Sequence, residues 1–261
     1  MLDKELVSII MPAFNSSKYI SNSITSIQEQ SYTHWELIIV DDASTDNTVE
    51  VINSFKDSRI RLLRNTHNEG AALSRNKALR EANGMWITFL DSDDIWMNKK
   101  LETQLNYMRL NNCSFTYTDY IIEQNGKRLP YKFTAPNFIN KRRIFNYCYF
   151  STITVMYDQS IVGLIQIPDL KKNNDYAMWL IAIEKTNFYR IPIVLSCYVK
   201  HTNSISSGSK LKLIKWHYIL FRKGFNKNKV VSMYLTTKNL IFGILKKIFY
   251  KKNIKEADKL K

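Results

Sequence analysis

Short apolar runs alternate with stretches of helical periodicity over the first 120 residues of the chain. The apolar runs occupy residues 7–11, 35–40, 59–63, 85–90 and 115–120. Between them, apolar side chains recur three or four positions apart, as at Ile20, Ile24 and Ile27. Runs of this length are typical of buried strands, and the spacing between them is typical of amphipathic helices. The alternation predicts an α/β fold with a mainly parallel central sheet and flanking helices.

The pattern changes beyond residue 120. Asn125-Gly126 is a hairpin turn signal, residues 151–157 and 188–199 are of strand type, and residues 175–185 show helical spacing. Gly84 is expected to end the third helix as a left-handed cap. We divide the chain into two halves of one domain, at 1–120 and 121–209, and a tail at 210–261.

The composition favours a folded protein in a reducing compartment. Of the 261 residues, 45% are hydrophobic and 23% are charged, which is enough to form a core. The three cysteines are far apart and odd in number, so a disulfide framework is not expected. The N-terminus lacks the pattern of a secretory signal, and no apolar run approaches the ~18 residues of a membrane span. These features predict a protein of the cytosol or of a membrane surface.

Positive charge is concentrated in the tail. Of the net charge of +15, the tail carries +13, from fifteen Lys or Arg residues and two acidic residues. Its apolar side chains form two helical stripes, at Leu211, Ile214, Tyr218 and Phe221, and at Ile241, Ile244, Leu245, Ile248 and Phe249. Such stripes beside lysine-rich faces predict a basic amphipathic helical tail on an anionic membrane surface. One alternative is that the tail packs on the core. The other is a nucleic-acid patch, but phosphate contacts would leave the apolar stripes unexplained, so no nucleic-acid partner is expected.

Two acidic clusters directly follow strand-type runs. Asp41-Asp42 follows the second run, and Asp-Ser-Asp-Asp at 91–94 follows the fourth. Ligands of open α/β sheets bind outside the carboxyl ends of the strands, so both clusters are expected to face one crevice. Carboxylates that lie close together repel one another unless a positive charge lies among them. Because oxygen ligands suit Mg²⁺ or Mn²⁺, the clusters predict a divalent cation that carries a diphosphate.

Four local patterns resemble those of the family 2 glycosyltransferases with a GT-A fold, in the same order and spacing. They are Pro-Ala-Phe-Asn at 12–15, Asp-Asp-Ala-Ser-Thr-Asp at 41–46, Asn-Glu-Gly at 68–70 leading to Ala-Leu-Ser-Arg-Asn at 72–76, and Asp-Ser-Asp-Asp at 91–94. The second half resembles the family more loosely, at 174–176 and 198–206. The resemblance implies that residues 1–120 bind a nucleotide sugar, and that residues 121–209 shape the acceptor site and supply a base.

By the same resemblance, residues 91–93 are the DxD element of the family. Asp93 would ligate Mn²⁺ or Mg²⁺, Asp91 would hold the ribose or the water shell of the metal, and Ser92 lies between them. The cation would stabilise charge on the leaving diphosphate. The alternative is that Asp93 or Asp94 only caps the next helix.

The nucleotide is expected at the ends of the first two strands. The resemblance implies that Asp42 accepts a hydrogen bond from the N3–H of a uracil base, a role that suits a carboxylate because it only accepts. Pro12 and Phe14 would pack against the base, and Asn15 belongs to the same predicted site. Turn formation and helix capping are the alternatives for Asp42 and for Asn15.

Two basic side chains complete the predicted donor site. Arg75 would pair with a phosphate or orient the acidic cluster, with an exposed helix charge as the alternative. His201 would help to hold the diphosphate, unless it is a surface histidine. The serine-rich stretch at 204–209 would then close over the donor.

The resemblance implies that Asp175 is the catalytic base. It would take the proton of the acceptor hydroxyl, which then attacks the anomeric carbon on the face opposite the diphosphate. The family usually has Glu before this residue, whereas this chain has Asn174. Helix capping is the alternative for Asp175, and Asp169 and Glu184 are rival candidates for the base.

The predicted function is inverting, metal-dependent transfer of a sugar from a UDP-sugar to an acceptor hydroxyl. The resemblance extends to small bacterial transferases that build surface polysaccharide such as O-antigen or capsule, so the acceptor is expected to be a lipid-linked saccharide. The protein would be cytoplasmic and peripheral on the inner face of the cell membrane. The alternatives are a sugar-phosphate nucleotidyltransferase and an inactive transferase domain that binds membrane or nucleic acid.

Overall fold

The computed structural model describes residues 3–201 and 210–254, without the side chains of residues 210–212. Its strands form one sheet. They are β1 (Asp3–Ala13), β2 (Trp35–Asp41), β3 (Ile60–Arg64), β4 (Gly84–Phe89), β5 (Ile95–Trp96), β6 (Phe115–Gln124), β7 (Lys127–Phe133), β8 (Phe138–Ile139), β9 (Val155–Asp158), β10 (Phe188–Lys200) and β11 (Lys251–Asn253).

Helices flank the sheet and form the tail. They are α1 (Ile20–Gln28), α2 (Thr48–Ser54), α3 (Ala71–Arg80), α4 (Lys100–Asn111), α5 (Lys141–Ile144), α6 (Gln159–Val162), α7 (Asn174–Ala182), α8 (Lys210–Ile219) and α9 (Lys229–Phe249). A 3₁₀ turn at Thr152–Thr154 precedes β9, and a π-helical turn at Leu220–Gly224 follows α8.

The sheet has a parallel region and a mixed region. Its order is β11-β7-β6-β9-β4-β1-β2-β3, and β10 pairs with β5, β6 and β8. Strands β3, β2, β1 and β4 run parallel, whereas β9 lies antiparallel between β4 and β6. The predicted α/β fold with a central sheet and flanking helices is confirmed. The parallel region brings the carboxyl ends of β1, β2 and β4 to one edge, where ligands of such sheets bind.

Strands β1 and β2 are apolar on both faces because protein covers both sides of the sheet. Ile10 and Ile38 belong to one core cluster, and Ile9, Leu37 and Ile39 belong to the other. All five are fully buried. Since successive side chains of a strand point to opposite faces, a continuous apolar run serves two cores at once.

The prediction that Gly84 caps the third helix is wrong. Gly84 is the first residue of β4, and a Cβ atom there would lie 2.4 Å from the carbonyl oxygen of Leu6 and 2.8 Å from the hydroxyl of Ser8. Glycine is needed at this position because β1 approaches so closely. The predicted hairpin is confirmed between β6 and β7, where Asn125 and Gly126 have φ values of 55° and 71°.

The tail packs partly on the core. Leu220 and Phe221 are fully buried at the end of α8, and β11 adds a strand beside β7. On α9, by contrast, Ile241, Ile244 and Ile248 are 52%, 64% and 64% exposed. The side chain of Leu211, in the first predicted stripe, lies outside the described residues. Within residues 3–201 and 210–254, no helix combines the length and the apolar character that a membrane span needs.

Candidate active site

Three strand ends meet at one edge of the sheet. The parallel register pairs Ala13 of β1 with Asp41 of β2, and Ile10 of β1 with Phe89 of β4. The three strands therefore end at nearly the same level, and the loops that follow them are neighbours. This arrangement brings the first two sequence patterns close to the acidic segment at 91–94.

Asn15 joins the loop after β1 to the loop after β2. Its backbone N–H donates to the hydroxyl of Ser44 at 2.9 Å, and its side-chain oxygen accepts from the N–H of Thr45 at 2.8 Å. Pro12 lies within β1, whereas Phe14 is 48% exposed. Phe14 therefore offers an accessible ring, and the polar groups of Asn15 serve to hold the two loops together.

Asp42 is buried and fixes the loop that leads into α3. Its Oδ1 accepts from the Asn65 side chain at 2.8 Å and from the Glu69 N–H at 2.9 Å, and its Oδ2 accepts from the Gly70 N–H at 2.8 Å. Asp41 is fully buried, and its Oδ1 has no hydrogen-bond partner in the described part of the chain. Contact of Asp42 with uracil stays a prediction, while a role in shaping this loop is evident from its three donors.

Arg75 connects the two halves of the domain. It lies on α3, its side chain is 5% exposed, and Nη2 donates to Oδ1 of Asp91 at 2.6 Å. Nη1 donates to Oδ1 of Asp175, on the first turn of α7, at 2.8 Å. Neighbouring protein limits the hydration of Asp175 and raises its pKa, which the Arg75 guanidinium counteracts. The candidate base thus lies one side chain away from the acidic segment at 91–94.

In the acidic segment, the ionised forms of Asp93 and Asp94 are disfavoured. Asp93 is 38% exposed at its side chain, and burial together with repulsion by Asp91 raises its pKa to about 6. Asp94 is fully buried, its Oδ1 accepts from the Val199 N–H at 2.7 Å, and its Oδ2 lacks a partner among the described residues. Burial and the two neighbouring aspartates raise the pKa of Asp94 as well. Ser92, between them, is buried.

A cavity of about 370 Å³ adjoins this segment. Its lining includes Asp93, Lys200, His201 and Tyr19. The His201 ring stacks on Tyr19 with 3.9 Å between centroids, and its Nε2 lies 3.6 Å from Oδ2 of Asp93. The structure therefore places His201 beside the acidic segment. Tyr19 was not anticipated, because a single tyrosine before a helix carries no recognisable pattern. The serine-rich stretch at 204–209 lies outside the described residues.

The alternatives for Asp175 do not account for its position. The N-cap of α7 is Asn173, and no side-chain hydrogen bond caps this helix. Of the rival bases, Glu184 pairs with Lys141 at 2.6 Å, and Asp169 is exposed. Asp175 is the candidate that contacts Arg75, and its role as base stays a prediction.

The acidic segment fits a hard divalent cation by its chemistry. Within the described ranges, no three His, Cys, Asp or Glu side chains are grouped so as to hold a metal by themselves. Mg²⁺ is usually bound through one or two carboxylates together with substrate phosphates, so such a group is not required. Asp93 lies beside the cavity with its charge disfavoured by Asp91, and a cation would relieve that repulsion.

Comparison with protein-family models matches residues 8–162 to Glycosyl transferase family 2. The chain belongs to this family. The match covers the candidate donor residues from Pro12 to Asp93 and ends before α7. Of the two enzyme classes that the sequence left open, the match supports glycosyl transfer. The matched region of the glycosyltransferase does not include Asp175, His201 or the tail.

One curated relative matches the glycosyltransferase over almost its whole length. It is the UDP-Glc:alpha-D-GlcNAc-diphosphoundecaprenol beta-1,3-glucosyltransferase WfgD of Escherichia coli, 39% identical over 257 residues, which cover 98% of this chain and 100% of the relative. Because the alignment includes α7 and the tail, the two chains are similar beyond the region that the family model covers.

Solved structures show the same fold. S. aureus TarS 1-349 in complex with UDP-GlcNAc has a TM-score of 0.72 and 19% identity, and the match covers 90% of this chain and 71% of that one. Mannosyltransferase PcManGT from Pyrobaculum calidifontis, in complex with GDP-Man and Mn²⁺, has a TM-score of 0.59 and 16% identity, with 92% and 75% covered. At these identities the likeness concerns the fold alone.

Proposed function

We propose that the glycosyltransferase moves a sugar from a UDP-sugar to a hydroxyl group of a lipid-linked saccharide, with inversion at the anomeric carbon. The observation that carries this proposal is the double contact of Arg75, with Asp91 at the end of β4 and with Asp175 at the start of α7. A candidate donor residue and a candidate base therefore share one site. The name of WfgD, which specifies UDP-Glc and a diphosphoundecaprenol-linked acceptor, supports the choice of substrates.

Asp175 is the group that accepts the proton of the attacking hydroxyl in this proposal. Its side chain is 42% exposed, so an acceptor can reach it, and Arg75 fixes one of its oxygens. Its raised pKa keeps the carboxylate basic enough to take a proton during attack. Attack opposite the leaving diphosphate inverts the configuration, and it requires no covalent sugar–enzyme intermediate.

Asp91, Ser92 and Asp93 would hold the diphosphate end of the donor together with Mn²⁺ or Mg²⁺. A divalent cation there would neutralise the charge that builds on the leaving diphosphate. The Mn²⁺ in the PcManGT structure and the repulsion between Asp91 and Asp93 support this assignment. His201 would approach the same diphosphate from the end of β10.

The nucleotide end of the donor would lie beyond the ends of β1 and β2. We propose that Phe14 packs against the uracil base with Pro12 behind it, because the Phe14 ring is accessible. Asn15 would hold this edge in place, and Asp42 would face the base. The UDP-GlcNAc in the TarS structure supports a uridine nucleotide.

The outward face of α9 supports an acceptor at a membrane. Six apolar side chains lie along one side of this helix, and each is more than half exposed: Val230, Met233, Tyr234, Ile241, Ile244 and Ile248. Exposed lysines flank this stripe at Lys247, Lys251 and Lys252. An apolar stripe beside lysines fits an anionic membrane surface. The glycosyltransferase would thus be peripheral on the inner face of the cell membrane, where surface polysaccharide such as O-antigen or capsule begins on lipid carriers.

Donor binding is the first test. We expect UDP-glucose, or another UDP-sugar from a panel, to raise the melting temperature in the presence of Mn²⁺, since a ligand at 100 times its Kd adds about 2.7 kcal/mol to stability. The proposal is refuted if no nucleotide sugar raises the melting temperature, with or without metal.

Sugar transfer is the second test. With a donor and a diphosphate-linked saccharide, Asp93→Asn and Asp175→Asn are each expected to lower kcat at least about 100-fold. NMR of the product reports the anomeric configuration, and retention would refute the proposed mechanism. Undiminished transfer by Asp175→Asn would remove Asp175 from the role of base.

A further inference from the structure

Helix α9 turns its polar side inward. Ser232, Thr236 and Asn239 are buried, and Gly243 and Lys246 continue the same side at helical spacing. The opposite side is the exposed apolar stripe described above. A surface helix usually buries its apolar side and exposes its polar side. The polar side chains of this inward side are bonded partly to the helix itself, Thr236 to the carbonyl oxygen of Ser232 and Asn239 to that of Leu235.

The inward side of α9 packs against the segment that follows α5. The Asn239 side chain donates to the carbonyl oxygen of Phe145 at 3.2 Å. At Gly243, a Cβ atom would lie 3.0 Å from the Tyr147 ring, so this ring packs directly on the helix backbone. One turn further on, the Lys246 ammonium lies 5.4 Å from the centroid of the same ring.

The same segment borders the candidate base. The hydroxyl of Tyr176, next to Asp175 on α7, donates to the carbonyl oxygen of Ile144 at 2.6 Å. Burial raises the pKa of the Cys148 thiol to about 12, and this thiol lies within electrostatic reach of both Lys246 and Asp175. Lys246 and Asp175 therefore both lie near Cys148.

Lys246 brings a half-buried positive charge to this place. Within the described ranges, no carboxylate lies within salt-bridge distance of its ammonium, whose neighbours are the Tyr147 ring and the Cys148 thiol. Burial lowers the pKa of Lys246 to about 8. The next residue, Lys247, is exposed. A poorly hydrated cation gains most from an anion that arrives with a ligand.

We propose that Lys246 binds the diphosphate of the lipid-linked acceptor while the acceptor hydroxyl lies at Asp175, an inference that rests on the function proposed above. In the acceptor that the name of WfgD specifies, the diphosphate and the attacking hydroxyl belong to the same sugar, so for such an acceptor the cation that meets the diphosphate must lie close to the base. The lipid continues from the diphosphate towards the membrane, and the outward side of α9 faces that way. One helix thus contacts the membrane on one side and the acceptor on the other.

A solution assay isolates this contact from membrane binding. The acceptors are a water-soluble saccharide on a short-chain diphosphate and the same saccharide as a neutral alkyl glycoside, without vesicles. For Lys246→Gln we expect KM for the diphosphate acceptor to rise about tenfold or more, since a charge-assisted hydrogen bond is lost, with KM for the neutral glycoside almost unchanged. The matched control, Lys229→Gln, at the exposed start of the same helix, is expected to leave both KM values unchanged.

Three experimental results would each refute either the inference or the proposed function. In the first case, Lys246→Gln transfers sugar and prefers the diphosphate acceptor over the neutral glycoside as strongly as the unchanged protein does. This result overturns the inference and leaves the proposed function standing. Absence of UDP-sugar binding and of transfer in the unchanged protein defeats the proposed function instead. Weaker sedimentation of Lys246→Gln with phosphatidylglycerol vesicles, at unchanged solution KM, would assign Lys246 to lipid head groups and also overturn the inference.

A folding defect is separated from a binding defect by a second variant. Lys246→Arg keeps the charge, so it is expected to retain most of the preference for the diphosphate acceptor. The UDP-sugar-induced rise in melting temperature should be the same in all variants. A loss of preference in Lys246→Arg equal to that in Lys246→Gln, with both variants folded, would contradict a role for the charge.

Discussion

Replacement of Arg75 by Gln tests the connection between the two halves of the glycosyltransferase. The guanidinium donates to Asp91 at 2.6 Å and to Asp175 at 2.8 Å, whereas a glutamine amide at this position is shorter and uncharged. The change therefore removes one buried cation and leaves two carboxylates on neighbouring elements without compensation.

The exposure of the three groups sets the size of the effect on stability. Arg75 is 5% exposed, but Asp91 and Asp175 are 31% and 42% exposed. Removal of one partner of a fully buried pair costs about 3–5 kcal/mol. Because both carboxylates can regain water, we expect the free energy of unfolding to fall by about 2 kcal/mol. Urea unfolding followed by circular dichroism measures this difference.

The pH profile of Arg75→Gln tests the contact with Asp175 more specifically than its stability does. An adjacent cation lowers the pKa of a carboxyl group, and the Arg75 guanidinium does so for Asp175. Loss of Arg75 therefore raises the pKa of Asp175. Since a general base acts in its deprotonated form, the acid limb of kcat/KM is expected to move to higher pH. At neutral pH, misplacement of the base should also lower kcat about 100-fold.

Arg80→Gln is the matched control. Arg80 lies on the same helix, is exposed, and donates to Oε1 of Gln166 at 2.6 Å, away from the acidic segment. It should leave the pH profile and kcat unchanged. An unshifted acid limb in Arg75→Gln, with the fold intact, would refute the reasoning that Arg75 governs the protonation of Asp175.

Three further predictions concern stability, and urea unfolding checks each of them. Asp42→Asn should lower the free energy of unfolding by about 2–3 kcal/mol, because an amide cannot accept all three N–H donors, and equal stability would contradict this role of Asp42. Gly84→Ala should lower it by about 2–4 kcal/mol, since the new Cβ would meet the Leu6 carbonyl oxygen. Burial lowers the pKa of Lys100 in the folded protein. Between the folded and the unfolded pKa of Lys100, the unfolded chain therefore binds more protons than the folded one. In that range the free energy of unfolding should rise by at most about 1.4 kcal/mol per pH unit. Lys100→Met should reduce that rise, and a rise as steep as in the unchanged protein would contradict the assignment.

The sequence alone predicts the parts of the site that depend on local chain order. The acidic residues at 91–94 follow a buried strand, and the register of β1, β2 and β4 brings their ends together as expected for parallel strands. The hairpin at Asn125-Gly126 was likewise readable, since both residues tolerate positive φ. Such features depend on side-chain periodicity and turn chemistry within about ten residues.

Features that depend on distant parts of the chain were not readable in the same way. Arg75 and Asp175 are 100 positions apart, and no periodicity indicates that their side chains meet. In the sequence, Gly84 lies between a helical pattern and a strand pattern, which favours a helix cap. In the structure it begins β4, and the close approach of the Leu6 carbonyl oxygen explains why glycine is needed there. The apolar stripe of α9 was recognised, but the inward polar side that carries Lys246 was not, because a polar side facing protein has the same sequence pattern as one facing water.

The division of the site between two regions of the chain has a consequence for substrate choice. The family match ends at residue 162, so it contains Arg75, Asp91 and Asp93 but not Asp175 or Lys246. In the proposed site, the donor side is therefore built from the segment that the family shares, whereas the acceptor side is built from α7 and α9. Because Arg75 is bonded to both sides, the acceptor side can differ among relatives only if a carboxylate remains opposite Arg75, or if another anion takes its place. Relatives that act on other acceptors are thus expected to differ in the inward side of the tail helix sooner than in the partner of Arg75.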